Sequence, residues 1–167
     1  MNIVFPGIRL PKRLCREMAV ITRGNPLFIV EMIRKMISDA KIYQDGRKWT
    51  VTPLEKGYFP RSIEEIIRNK MASFDEESRR FLDRASAFGE STSFSMLAGI
   101  SDEQSGKLYE IVSQAEEQGL VRSEFEENDE NVRFLSKRVR DIIYDDIPPE
   151  DKKRLHRQIG AYQEKLY

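Results

Sequence analysis

The residues from Thr22 to Glu31 combine a Gly-Asn-Pro turn (Gly24, Asn25, Pro26) with the start of a strongly apolar helix. Asn25 suits a helix N-cap, and Pro26 suits the first helical position, where its missing N–H costs nothing. Gly24 permits a sharp turn and a close approach by another group. Such a helix start leaves N–H groups that could face a phosphate, although an ordinary capped helix has the same composition. A nucleotide hydrolase further needs a loop of the form G-x-x-x-x-G-K-[ST], because backbone N–H groups and a lysine must surround the phosphates. Ser105-Gly106-Lys107-Leu108 has a Gly-Lys pair but neither the upstream glycine nor the following hydroxyl, and it sits in a helical pattern. Ile142-Ile143-Tyr144-Asp145-Asp146 looks like an apolar strand with a Mg²⁺-holding acidic pair, yet Val139, Ile142, Ile143 and Ile147 recur at helical spacing. Glu64-Glu65 and Glu116-Glu117 lie beside apolar stripes and read as solvated helix faces. His156 is the one histidine and Cys15 the one cysteine, so a histidine-pair metal site and an internal disulfide are excluded within this chain. His156 lies among Lys152, Lys153, Arg154 and Arg157 and reads as a surface or interface histidine. On these residues the chain by itself is expected not to be an enzyme.

The elements that must hold these residues fit a chain of 167 residues, long enough for one domain or two small subdomains. A composition 40% hydrophobic and 34% charged points to a helix-rich globular protein. Net charge is zero, so no bulk attraction to nucleic acid or an anionic membrane is expected. No apolar run reaches the ~18 residues of a membrane span, and no signal peptide is visible, which places the chain in the cytoplasm by expectation.

Periodicity predicts a short helix over residues 11–22 and a second from Pro26 to about Asp39 that is apolar around most of its circumference. Residues 41–51 read as a small hairpin turning at Asp45-Gly46. Residues 54–60, with Gly57 and Pro60, read as a linker. Ser62-Ile63-Glu64-Glu65 is a capping box ahead of Ile66, Ile67, Met71 and Phe74. Asp75 and Ser101 are expected to cap further helices, stopped by Gly89 and Gly119, with a short helical turn near 94–98 between them. Two strands, 120–125 and 131–135, flank an acidic loop. Helix, short helix, long helix and two-stranded ribbon make the order of a winged helix-turn-helix. A further helix carries Val139, Ile142, Ile143 and Ile147. After Pro148-Pro149 a last helix bears Leu155, Ile159, Tyr162 and Leu166 on a stripe that nothing later in the chain covers.

Gly24-Asn25-Pro26-Leu27-Phe28, Gly46 to Trp49, Pro60-Arg61-Ser62-Ile63, Ala85 to Gly89, Gly119-Leu120, Phe134, Arg140-Asp141-Ile142-Ile143-Tyr144 and Arg154-Leu155-His156 occur in that order. The series resembles the region following the ATPase core in bacterial STAND-type signalling ATPases, relatives of the AAA+ class, over about residues 10–167. The resemblance implies a mainly α fold with small β-hairpins: a helical lid subdomain with hairpin and linker (1–60), a winged-helix subdomain (61–147), and the first helix of a following helical module (148–167). It implies ATP or ADP as the cofactor of the full-length protein, none being bound by this chain alone. Its partners would be an upstream ATPase core in the same polypeptide and a downstream helical or effector module. Gly24, Asn25 and Pro26 would be the lid's contacts to nucleotide. Ser136 stands where the family has a phosphate-sensing histidine, and a hydroxyl cannot bring positive charge to a phosphate. Lys137 and Arg138 are the neighbours that could.

The alternatives are a winged-helix transcription regulator and a protein-binding adaptor that uses the last helix. Residues 101–130, covering the third helix and most of the wing, hold ten acidic residues against Lys107 and Arg122, a net charge of −8. That sign opposes a polyanion at both contact elements, so DNA is not an expected partner. Compensating cations, Arg9, Lys12, Arg13, Arg16 and Arg23, flank the Gly-Asn-Pro turn. They suit a phosphate neighbourhood, an interface to the acidic wing, or simple solubility.

Overall fold

A computed structural model describes residues 10–46, 48–55, 57–101, 105–126 and 129–166. Expectations resting on Arg9, Arg47, Asp102, Glu103, Glu127, Asn128 and Tyr167 lie outside the described residues. The fold is mainly α-helical with two small antiparallel sheets. The chain divides into two compact units, Met1–Ile66 and Ile67–Tyr167.

In the first unit α1 (Lys12–Thr22) and α2 (Pro26–Ser38) pack together, followed by the hairpin β1 (Ile42–Asp45) and β2 (Lys48–Val51). Leu14 and Met18 of α1, Met32, Ile33 and Met36 of α2, Ile42 and Phe59 form its core. Ile29 and Ile37 pack against that core from the flanks of α2, which accounts for the nearly all-round apolar character of this helix. The hairpin register pairs Asp45 with Lys48, so the turn lies one residue later than the Asp45-Gly46 spacing predicts. Gly46, at φ +60°, thereby takes the first loop position. A primed two-residue turn needs positive φ there, and glycine adopts it without a Cβ clash. At the start of α3 (Ile63–Ala72), Ser62 Oγ accepts from the Glu65 N–H at 3.3 Å, as a capping box requires. The Glu65 carboxylate accepts from the Arg61 N–H at 2.7 Å, one residue ahead of the reciprocal partner in that motif.

The second unit runs α4 (Glu76–Phe88), β3 (Ser91–Ser93), α5 (Phe94–Gly99), α6 (Ser105–Glu117), β4 (Val121–Glu126), β5 (Asp129–Phe134), α7 (Lys137–Asp146) and α8 (Pro149–Leu166). Helix α4 is its hub and packs against α5, α6, α7 and α8. Phe81, Leu82 and Ala85 on its inner face are at most 2% exposed. Asp75 caps α4, its carboxylate accepting from the Ser78 N–H at 2.7 Å, and Gly89 ends the helix at φ +138°. The two-stranded ribbon expected from the sequence is a three-stranded sheet of order β3-β5-β4, because Ser91-Thr92-Ser93 adds to β5. Ser101, expected to cap α6, accepts from Arg84 at 3.3 Å, and the first described residue of α6 is Ser105. The stripe on α8 is partly covered by elements before it. Leu155 and Ile159 bury against Ala87 and Ile147, while Leu166 stays 57% exposed. Tyr162 lies directly on Gly99, where a Cβ would come within 2.0 Å of the ring.

Strand β4 is an edge strand, and one residue of α6 guards it. The Leu135 N–H donates to the Leu120 carbonyl, so even-numbered residues of β4 bond to β5 and odd-numbered ones face outward. The outward N–H of Ser123 is taken by the Glu116 carboxylate, which also accepts from the Ser123 hydroxyl at 2.9 Å.

Candidate functional site

The Gly-Asn-Pro turn joins α1 to α2. Helix α1 ends in a Schellman arrangement: Gly24 N–H donates to the Ala19 carbonyl at 3.0 Å, and Arg23 N–H to that of Val20 at 3.3 Å. Arg23 and Gly24 both have positive φ, +52° and +76°. Asn25 then caps α2, its side chain accepting from the Leu27 N–H at 3.0 Å, with Pro26 in the first turn. These bonds leave Phe28 as the N–H of the first turn without a partner among the described residues, since Pro26 has none and Leu27 is committed to the cap. A Cβ at Gly24 would meet nothing within 4 Å, so the turn is open on that side. Lys12, Arg13, Arg16 and Arg23 are exposed and form no ion pair among the described residues. The turn is thus a tightly satisfied backbone corner offering one amide donor, with Arg23 as its adjacent cation, whereas Lys12, Arg13 and Arg16 stand toward the opposite end of α1 and do not surround it.

Ser136, Lys137 and Arg138 lie in the second unit at the start of α7. Ser136 is its N-cap, the hydroxyl accepting from the Val139 N–H at 3.3 Å. A histidine is a poorer cap than serine, so serine here has a local structural account that owes nothing to a ligand. Lys137 pairs with Asp141 at 2.7 Å, and this hydrogen bond holds the Asp141 carboxyl below its ordinary range. Arg138 is likewise engaged. The two triplets fall in different units, and each first serves its own helix start.

The acidic pair Asp145-Asp146 closes α7, so the apolar run before it is helical. Arg68 of α3 binds Asp146 in a bidentate fork, 2.7 and 2.8 Å, and lowers its pKa. No group of three His, Cys, Asp or Glu among the described residues is placed to hold a metal. Ser105-Gly106-Lys107 lies in the first turn of α6, where Lys107 pairs with Glu110 at 3.5 Å. Arg122 pairs with Glu124 at 3.1 Å. Both cations of the 101–130 stretch are therefore already engaged by acids, and Glu110, Glu116 and Glu117 are exposed on α6.

Two features escaped the sequence. Asp83 of α4 lines a cavity of about 670 Å³ with Arg80, Arg84, Asp151 and Arg154. Burial, reinforced by the Asp151 and Asp146 carboxylates, pushes its pKa up to about 6. Across the α7–α8 corner, Tyr144 Oη lies 2.8 Å from His156 Nε2, with the Arg140 guanidinium and the Lys152 ammonium 4.4 and 4.7 Å from the Tyr144 ring centre. Spacing along one helix cannot reveal either group, because each joins residues on different helices.

No family model matches the sequence, and no solved structure matches it. The chain is similar to hybrid signal transduction histidine kinase G of Dictyostelium discoideum, at 22% identity over 104 residues. That stretch is 60% of this chain and 3% of the relative, so the chain spans a small part of the length of the curated protein it matches. No helix among the described residues is long and apolar enough to cross a membrane.

Proposed function

We propose that this chain is the control segment of a STAND-like signalling ATPase, in which a helical lid and a winged-helix subdomain couple the nucleotide state of an upstream core to a downstream module. The observation that carries this reading is the order of the second unit. Helix α4, strand β3, helices α5 and α6 and the β4–β5 hairpin, with sheet order β3-β5-β4, follow a helical unit built on the Gly24–Pro26 turn. The partial likeness to a hybrid signal transduction histidine kinase is consistent with a signalling polypeptide of many parts. On this reading the segment performs no chemistry itself, and hydrolysis belongs to the core. ATP or ADP on that core would be met by the open side of Gly24, by Asn25 and Pro26, by the Phe28 N–H and by Arg23; Ser136, Lys137 and Arg138 are the contact proposed for the second unit. A ligand that binds two packings of lid and winged helix unequally shifts the balance between them. The same reading places the protein in the cytoplasm.

Hydrogen exchange on the full-length polypeptide, with ADP and with ATP, tests the proposal. Peptides over residues 22–30 are expected to change protection several-fold between the two nucleotides. Exchange there that is indifferent to nucleotide would remove the lid role. DNA is disfavoured because the third helix and wing are acidic and the two cations of residues 101–130, Lys107 and Arg122, are already paired. Salt-dependent retention on duplex DNA would bring the transcription-regulator reading forward.

A further inference from the structure

Tyr144, on the last turn of α7, and Lys152, Lys153, His156 and Arg157, on the first half of α8, line an open cavity of about 710 Å³. No carboxylate lines it. Lys152 is held in place by the Asp145 carbonyl, to which its ammonium donates at 3.2 Å. Lys153 is engaged by Glu150 at 3.2 Å, but that acid is 83% exposed. A pair so solvated contributes little and is readily exchanged for a better anion. Arg157 donates through Nε to the Lys153 carbonyl at 3.3 Å, which leaves its two terminal nitrogens without an acceptor among the described residues. His156 has one ring nitrogen on the Tyr144 phenol. That contact occupies Nε2 and leaves Nδ1 as the ring nitrogen open to a ligand. Tyr144 therefore fixes the place of the His156 ring, while the Arg140 and Lys152 cations beside its own ring hold that ring in position.

We propose that the α7–α8 corner binds a phosphoryl dianion, with Arg157, Lys153 and the Nδ1–H of His156 as its donors and Tyr144 as the positioning residue. A doubly charged phosphoryl group has three strongly accepting oxygens, and it is matched by a planar guanidinium fork, an ammonium and an imidazole N–H. A carboxylate has fewer acceptor atoms and half the charge, so it would leave part of this donor set unmatched.

His156 is the one histidine of the chain, so its ring C–H signals can be followed by NMR without assignment. Titration with inorganic phosphate at constant ionic strength is expected to give a saturable shift of those signals that sodium chloride does not reproduce. Arg157→Gln and Lys153→Gln are exposed changes that leave the core intact, and each is expected to weaken the response about tenfold. Tyr144→Phe keeps the ring but removes the hydrogen bond that holds His156, and should weaken it a few-fold. Lys107→Gln, on α6, serves as the control and should change nothing. ADP binding more tightly than phosphate assigns the corner to the terminal group of a nucleotide, and phosphate binding without ADP assigns it to a lone phosphoryl group. A shift that follows ionic strength alone, or one indifferent to Arg157→Gln and Lys153→Gln, overturns the proposal.

Discussion

Asp83 is a carboxylate whose neighbourhood disfavours its charge: it is largely buried on α4, with Asp151 and Asp146 nearby. Its folded-state pKa, about 6, lies above the ordinary carboxylate value of 3.8. The folded protein thus holds this proton more tightly than the unfolded chain does. The resulting stabilisation is complete below about pH 4 and is lost as pH rises through 6. Asp83→Asn should therefore match the parent at pH 4 and exceed it at pH 7.5, by about 1 kcal/mol after allowance for solvent screening. Urea midpoints at the two pH values check this, and a mutant less stable at pH 7.5 would show that the carboxylate has a favourable partner. Nothing in the pattern around Asp83 marks it, since it occupies an ordinary polar position on an amphipathic helix. Asn25 is the opposite case. Its neighbours Gly24 and Pro26 announce a cap, and the cap forms because all the information needed is local. Gly24→Ala is expected to cost about 1 kcal/mol through backbone strain alone, as the position has positive φ and open space around it. Thermal melts of the variant provide the measurement.

At the scale of elements, long helices with apolar periodicity were legible to within a residue or two. β3 was not. Ser91, Thr92 and Ser93 have no alternation of apolar and polar residues, and they form a strand only because β5 offers them a free edge. The burial of α8 was equally hidden. Its stripe is covered by Ala87 of α4 and Ile147 beyond α7, and the ring of Tyr162 rests where Gly99 has no side chain. Gly99→Ala should thus push Tyr162 away and loosen the end of α8 with little effect on α4. Faster hydrogen exchange over 160–166 would show it, and Tyr162→Ala in the same chain should relieve the clash. Unchanged exchange would mean that the ring has another place to go. At the start of α7, Ser136→Ala removes a cap and should lower stability by about 1 kcal/mol, while Ser136→Asp should retain most of it. Equal losses from both would argue that the hydroxyl has a partner other than the Val139 N–H.

For the molecule as a whole, the sequence pointed to a boundary in the linker before residue 61, whereas the compact units divide at Ile66 and Ile67, inside α3. Helix α3 is tied into the second unit by the Arg68–Asp146 fork and by Arg79, which donates to the carbonyls of Met71 and Ala72 at its end. A fragment of residues 61–167, which keeps the Ser62 cap and the whole of α3, should accordingly unfold in one cooperative step in urea, with helical circular dichroism retained beforehand. A gradual loss of signal would mean that the first unit is needed to complete its core. The contact between Glu116 and the Ser123 backbone has a further consequence, for the shelf life of the protein in solution. Without that carboxylate, β4 would present an unpaired strand margin beside Phe125, which is 78% exposed. Glu116→Ala molecules, still natively folded, would then be able to zip onto one another strand by strand, and concentrated samples should turn turbid long before any of them melts.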